Sequence, residues 1–138
     1  MFMQEVELFK SIPSHILHEI TQFASEESVQ AEEVLFREGD IAEYLYILED
    51  GQVVITVPGK KAITFPVDSA GSVFGWSALV EPRRYTASAE CTMDSKVIKI
   101  DGERLLKLFE RYPHEGLLIL RRLAGVMGTR LVQSYRRV

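Results

Sequence analysis

The chain has 138 residues, 46% hydrophobic and 26% charged, with a net charge of −4. That length carries one domain with a core of its own, and the balance excludes a disordered chain. No apolar run approaches the ~20 residues of a membrane-spanning helix, the acidic start MFMQEVELFK is unlike a signal peptide, and the lone Cys91 excludes a disulfide framework or a four-cysteine metal site, so a reducing cytoplasm is the expected compartment.

Residues 5–24 read as helical. Val6, Leu8, Phe9 and Ile12 lead, and Ile16, Leu17, Ile20 and Phe23 then share one helical face. Ser11, Pro13 and Ser14 break the segment and start a second helix. From residue 28 the period changes. SVQAEEVLF, YLYILED, QVVITVP, KAITFPV, YTASAEC and SKVIKID are short and rich in Val, Ile, Tyr and Thr, and glycine-containing turns separate them. About seven or eight strands at this spacing imply a sandwich, barrel or jelly roll. Asp50-Gly51, between two apolar runs, is the strongest hairpin signal. Cys91 alternates with Ala87 and Ala89, so it is expected to face the core.

Asp101 is placed to cap the helix that follows, and Tyr112-Pro113 ends it. A long final helix runs from about residue 114. Leu117, Leu120, Ala124, Met127, Leu131 and Ser134 alternate spacings of three and four, the 3.5 period of a helix-pairing seam. A second row, Ile119, Leu123 and Val126, is expected to pack on the β body. Charge follows the same division. Residues 1–101 carry 8 Lys and Arg against 17 Asp and Glu, and residues 102–138 carry 8 against 3. Such a basic end suits either an anionic partner or a solvated helix whose arginines complement its dipole.

Chemistry concentrates in residues 73–89. A strand reaches Val73-Phe74, Gly75 follows, and a helical turn fits Trp76–Val80, including Ser77 and Ala78. Arg83 and Arg84 come next, and then Tyr85, Thr86, Ala87 and Ser88. Backbone donors, guanidinium groups and hydroxyls brought together make a phosphate site. No catalytic constellation accompanies them. His15 and His18 have no third ligand at metal spacing, and there is no Gly-x-Ser-x-Gly elbow and no P-loop. The reading is a binding module and not an enzyme, with no metal and no resident cofactor.

These pieces, in this order, resemble the cyclic nucleotide-binding domain family, the sensor half of catabolite-activator and fumarate-regulator type proteins. LFKSIP, LFREGDIAEYLYILEDGQVVI, FGWSAL, RRYTASA and ILRRLAGVMGTRL carry the likeness almost end to end. The resemblance implies an α+β, mainly β fold: an eight-stranded double-stranded β-helix, or jelly-roll β-roll. N-terminal helices (1–24) and C-terminal helices (102–138) would flank a roll at 28–101, with residues 1–138 as a single domain. It also implies a phosphate-binding cassette, and a long helix that covers the base and pairs two subunits.

The cassette departs from the pattern. Nucleotide-binding members carry Phe-Gly-Glu, whose glutamate accepts the ribose 2′-hydroxyl. Trp76 stands there and cannot accept a hydrogen bond. Tyr85 occupies the phosphate arginine's position, with Arg84 and Arg83 one and two residues earlier, and a one-residue shift along a strand reverses the face. Three outcomes stay open. Cyclic AMP or cyclic GMP binds through Arg84, Ser77 and backbone amides; a refitted pocket takes another small ligand; or Trp76 and Tyr85 plug the pocket of a ligand-free dimeric scaffold. Ser134 and Tyr135, with Arg121 and Arg122 earlier on the helix, are the candidates on the helical wall. The expected partners are a small-molecule effector, a second copy through the final helix and a separate output protein. No membrane, no direct nucleic acid and no DNA-binding domain are expected.

Overall fold

Two four-stranded antiparallel sheets form the body of the protein. The structure, a computed structural model, describes residues 3–137. One sheet holds β1 (Ala24–Val29), β8 (Ser95–Asp101), β3 (Tyr44–Asp50) and β6 (Val73–Phe74), in that spatial order. The other holds β2 (Val34–Phe36), β7 (Ser88–Cys91), β4 (Val53–Val57) and β5 (Ile63–Val67). Successive strands repeatedly change sheet, so most connections are corners and few are hairpins.

The corners correct two expectations. Asp50-Gly51 is not a hairpin, because β3 and β4 belong to different sheets. Gly51 has φ of 104°, and the corner is tied to the neighbouring one between β7 and β8. Gln52 N–H donates to Ser95 Oγ (3.1 Å), and Thr92 N–H donates to the Gln52 carbonyl (3.1 Å). The paired hairpin is β4–β5, closing from Val57 to Ile63 around Pro58-Gly59. Residues 28–36, read as one strand, divide at a turn into β1 and β2.

Strand β3 shows why its sequence is a continuous apolar run: both faces are covered. Leu45 and Ile47 pack toward the helices, while Tyr46 and Leu48 point between the sheets. On β8, Ile98 and Ile100 take the first side and Val97 the second. Cys91 is buried between the sheets, and burial pushes its thiol pKa up.

The N-terminal segment is less helical than its periodicity predicts. Two 3-10 turns, Met3–Glu5 and Glu7–Phe9, precede α1 (Ser14–Thr21). Ser11 at φ of 67° and Pro13 account for the break. Beyond the sheets, α2 (Gly102–Arg111) is capped by Asp101, whose Oδ1 accepts from Arg104 N–H at 3.0 Å. Then α3 (Pro113–Arg137) runs to the end of the described residues. Of the second apolar row, Ile119 and Leu123 are fully buried in the helical core, while Val126 is only half-buried and borders a groove beside Glu5 and Glu7. No helix among the described residues is long and apolar enough to cross a membrane.

Candidate ligand-binding site

The second half of α3 passes over the open end of the roll and leaves a cavity of about 390 Å³ beneath it. Three walls meet there. Phe74, Gly75, Trp76 and Ser77 come from the turn after β6, and Tyr85, Thr86 and Ala87 from the approach to β7. Phe36, Ile55, Val57 and Phe65 rise from β2, β4 and β5, while Met127, Gly128, Arg130, Leu131 and Ser134 descend from α3.

The turn after β6 is a four-residue 3-10 helix, Trp76–Leu79. Gly75 enters it at φ of 73°, a conformation that disfavours any side chain. A Cβ there would lie 3.0 Å from Tyr46 Cδ2 and 3.3 Å from Phe36 Cε2. Ala78, on the far side of the turn, is fully buried, and its carbonyl would meet a Cβ on Gly102 at 2.7 Å. It therefore supports the wall from behind and does not line it.

Tyr85 defines the floor. Its ring stacks on Phe36 with centroids 3.8 Å apart and planes at 12°. Tyr46 stacks on Phe74 beside this pair at 5.2 Å. The Tyr85 hydroxyl donates to the Tyr44 carbonyl at 2.7 Å and accepts from Tyr44 N–H at 3.3 Å. Burial pushes its pKa up to about 12. Burial likewise raises that of Tyr46. Trp76 and Tyr85, considered above as a plug, line the cavity and leave it open.

The arginines lie elsewhere. Strand alternation sends Tyr85 inward and Arg84 outward. Arg84 bridges to Ile41 in the backbone, and its Nη1 donates to the Gly39 carbonyl at 2.9 Å on the exposed face. Arg83, at φ of 61°, is absent from the cavity wall, and its Nε is buried without a hydrogen-bond partner. Ser88 Oγ is also turned away and accepts from Glu38 N–H at 3.3 Å. The cassette thus brings aromatic, backbone and hydroxyl groups to the cavity, and no cation.

A family model for the cyclic nucleotide-binding domain matches residues 26–112, more than half of the chain. The chain belongs to the cyclic nucleotide-binding domain family. The cyclic AMP receptor protein of Thermus thermophilus is 28% identical over 102 residues, covering 72% of this chain and 45% of that protein. This chain therefore spans less than half the length of that curated relative. A solved structure of a candidate cyclic nucleotide-binding protein from Geobacter metallireducens matches with a TM-score of 0.82 and 28% identity, covering 93% of this chain and 94% of the other. The Thermus thermophilus catabolite activator protein shares the fold, with a TM-score of 0.74 and 20% identity, covering 94% of this chain and 60% of that one.

Within this family fold, α3 holds the residues that the sequence left unassigned. Met127, Arg130 and Ser134 recur at spacings of three and four and so share a face over the cavity. Arg130 was one basic residue among many in the C-terminal third. Only its place one turn from Ser134 could have singled it out. Ile55, Val57 and Phe65 were legible as strand alternation, but which side faced a ligand depended on the roll's closure.

The remaining helical candidates separate. Arg121 and Tyr135 are exposed, whereas Arg122 Nη1 donates to the carbonyls of Glu7, Leu8 and Lys10 at 3.4, 3.2 and 2.6 Å. Of the seam residues, Leu117, Leu120 and Ala124 are exposed away from the cavity, Leu131 is exposed at its rim, and Met127 and Ser134 turn toward it. Among the described residues, no three His, Cys, Asp or Glu side chains cluster as metal ligands.

Proposed function

We propose that this chain is a small-molecule sensor module, without catalysis of its own, whose effector sits in the cavity between the cassette turn and α3. The observation that carries the reading is the composition of that cavity: one wall is β-roll and the other is helix. An occupant therefore touches both, and its binding free energy biases how α3 lies on the roll. The strand order β1-β8-β3-β6 against β2-β7-β4-β5 supports a jelly-roll body for this arrangement.

The output side is a helix pair. Leu117, Leu120, Ala124 and Leu131 leave an apolar stripe exposed, with Leu117 at 60% and Leu131 at 53%. Ala124 and Gly128 keep its centre narrow, and nothing lies within 4 Å of a Cβ on Gly128. A second copy of α3 fits there, so a shift of the helix becomes a shift between subunits, read by a separate output protein. A cytoplasmic setting goes with this reading.

Cyclic AMP and cyclic GMP are the family's expected effectors. With Arg84 outside and Trp76 in place of a carboxylate, they should bind at least about a hundredfold more weakly than a complete cassette allows. The test uses Trp76, the sole tryptophan, as reporter. Its emission and the hydrogen exchange of residues 127–134 are followed as cyclic AMP, cyclic GMP or 8-anilinonaphthalene-1-sulfonate is added. A change in both supports the sensor reading. Changed emission with unchanged exchange removes the relay. No response to any of the three at millimolar concentration removes ligand binding.

A further inference from the structure

Arg130 is the only charged residue among those lining the cavity, and none of them is acidic. Its guanidinium carbon lies 5.5 Å from the centroid of the Phe65 ring. No ion pair joins it to a carboxylate among the described residues. Glu5 and Glu7 border the adjoining groove with it, but neither comes within the 4.0 Å of a salt bridge. A cation stacked on an aromatic face, half withdrawn from water and unpaired, sits beside an apolar cavity.

The rest of the lining sets the shape of an occupant. Phe36, Phe65, Trp76 and Tyr85 offer ring surfaces, and Ile55 and Val57 offer aliphatic ones. The hydroxyls are those of Ser77, Thr86, Ser134 and Tyr85, the last already committed to Tyr44. At about 390 Å³ the space lies toward the small end of ligand sites, roughly 300–1,000 Å³.

We propose that the cavity takes a small anion with a flat apolar body, an aromatic carboxylate or its like, whose acid group is held by Arg130. The charge that the family resemblance implies on the cassette strand is here supplied by the covering helix. Guanidinium and carboxylate match as a bidentate pair, and the aromatic walls take the planar body. Burial pushes the Arg130 pKa down, which marks a cation short of solvent that an anion would relieve. Because the anchor is on α3, the anion draws the helix directly. The inference rests on the sensor reading above and gives that site its ligand class.

Calorimetry on the full chain tests it with 2-naphthoate, its neutral counterpart 2-naphthamide, and cyclic AMP. The wild type should prefer naphthoate over naphthamide by about tenfold or more, the worth of one charge-assisted pair. Arg130→Met keeps the aliphatic stem and removes the charge, and should abolish the preference for naphthoate over naphthamide, whatever it does to the affinity for naphthamide itself. Arg130→Lys should keep part of it, and circular dichroism melting verifies that both variants fold. Equal affinity for the two naphthalenes in the wild type overturns the proposal, as does a preference that survives Arg130→Met. Cyclic AMP binding without naphthoate binding overturns it too, while sparing the sensor reading. Absence of heat with all three overturns both.

Discussion

The guanidinium of Arg130 packs over the ring of Phe65, 5.5 Å from its centroid, and so ties the second half of α3 to β5, an edge strand of the roll. The first half of α3 is held by the buried Ile119 and Leu123. Beyond Leu123 the helix lies over a cavity, and the cation–π contact is one of its few anchors. Phe65→Leu removes the ring and keeps an apolar side chain. A contact worth about 0.5–1 kcal/mol should speed amide exchange of residues 128–134 by roughly two- to fivefold. Residues 116–123 should be unaffected. Equal acceleration along the whole helix would show general destabilisation instead.

Gly75 is the position where the cassette turn tolerates no side chain. Gly75→Ala places a methyl 3.0 Å from Tyr46 Cδ2, at a φ of 73°. The combined strain and crowding should cost about 1–3 kcal/mol in urea denaturation. Emission from the adjacent Trp76 should shift as well. A variant as stable as the wild type would show that the aromatic cluster yields freely.

How much of this was legible in the sequence depended on the range of the interaction. The turn at Gly75, the capping by Asp101 and the buried row of Ile119 and Leu123 are local, and each could be read from a few neighbouring residues. The direction of Arg84 needed only strand parity relative to Tyr85, which the sequence posed and the structure resolved. The corner at Asp50-Gly51 could not be read, because a tight turn into the same sheet and a turn into the other sheet use the same residues. Arg130 depended on the placement of a whole helix over the roll. Its role follows from Phe65 and the cavity, far away in the chain.

Alkaline pH should loosen the roll through Tyr85. Its pKa is raised to about 12 by burial, whereas an unfolded tyrosine titrates near 10. The folded state therefore holds its proton longer than the unfolded state. Stability is fully present below pH 10 and falls as pH rises from 10 toward 12. The slope is at most about 1.4 kcal/mol per pH unit for one tyrosine, with Tyr46 adding in the same direction. Tyr85→Phe should cost about 1 kcal/mol at pH 8, through the lost bonds to Tyr44, and flatten the alkaline slope. Denaturation curves from pH 8 to 11.5 decide it. An unchanged slope in the variant removes Tyr85 as the cause.

The exposed stripe on α3 gives a separate prediction. Leu117→Glu with Leu120→Glu places charges on the proposed pairing face, away from the cavity wall. Light scattering should show a dimer for the wild type and a monomer for the variant. Because both leucines are exposed, the monomer's own stability should change by no more than about 0.5 kcal/mol for each. A dimer that survives both substitutions would place the subunit contact on another surface.

Arg122 links the N-terminal segment to α3, and its loss should separate them. One nitrogen, Nη1, faces the carbonyls of Glu7, Leu8 and Lys10, which run from the start of the second 3-10 turn to its C-cap. The Glu7 carbonyl also accepts from Lys10 N–H at 3.3 Å, and so short a turn leaves little further helical bonding for the others, so a cation is well placed there. Around the contact, Met3, Val6, Leu8 and Phe9 bury their side chains in the same core as Ile119 and Leu123. The apolar contacts supply most of the attraction, and Arg122 fixes the geometry. Arg122→Met keeps the stem and removes the donors. It should cost about 1–2 kcal/mol in urea denaturation, in the range for hydrogen bonds to a charged group with partial exposure discounted. Exchange of amides 6–12 should accelerate more than that of the β-roll, because only the N-terminal segment loses a partner. Uniform acceleration would instead mean that Arg122 stabilises the fold as a whole, and unchanged exchange would mean that apolar packing alone holds the segment.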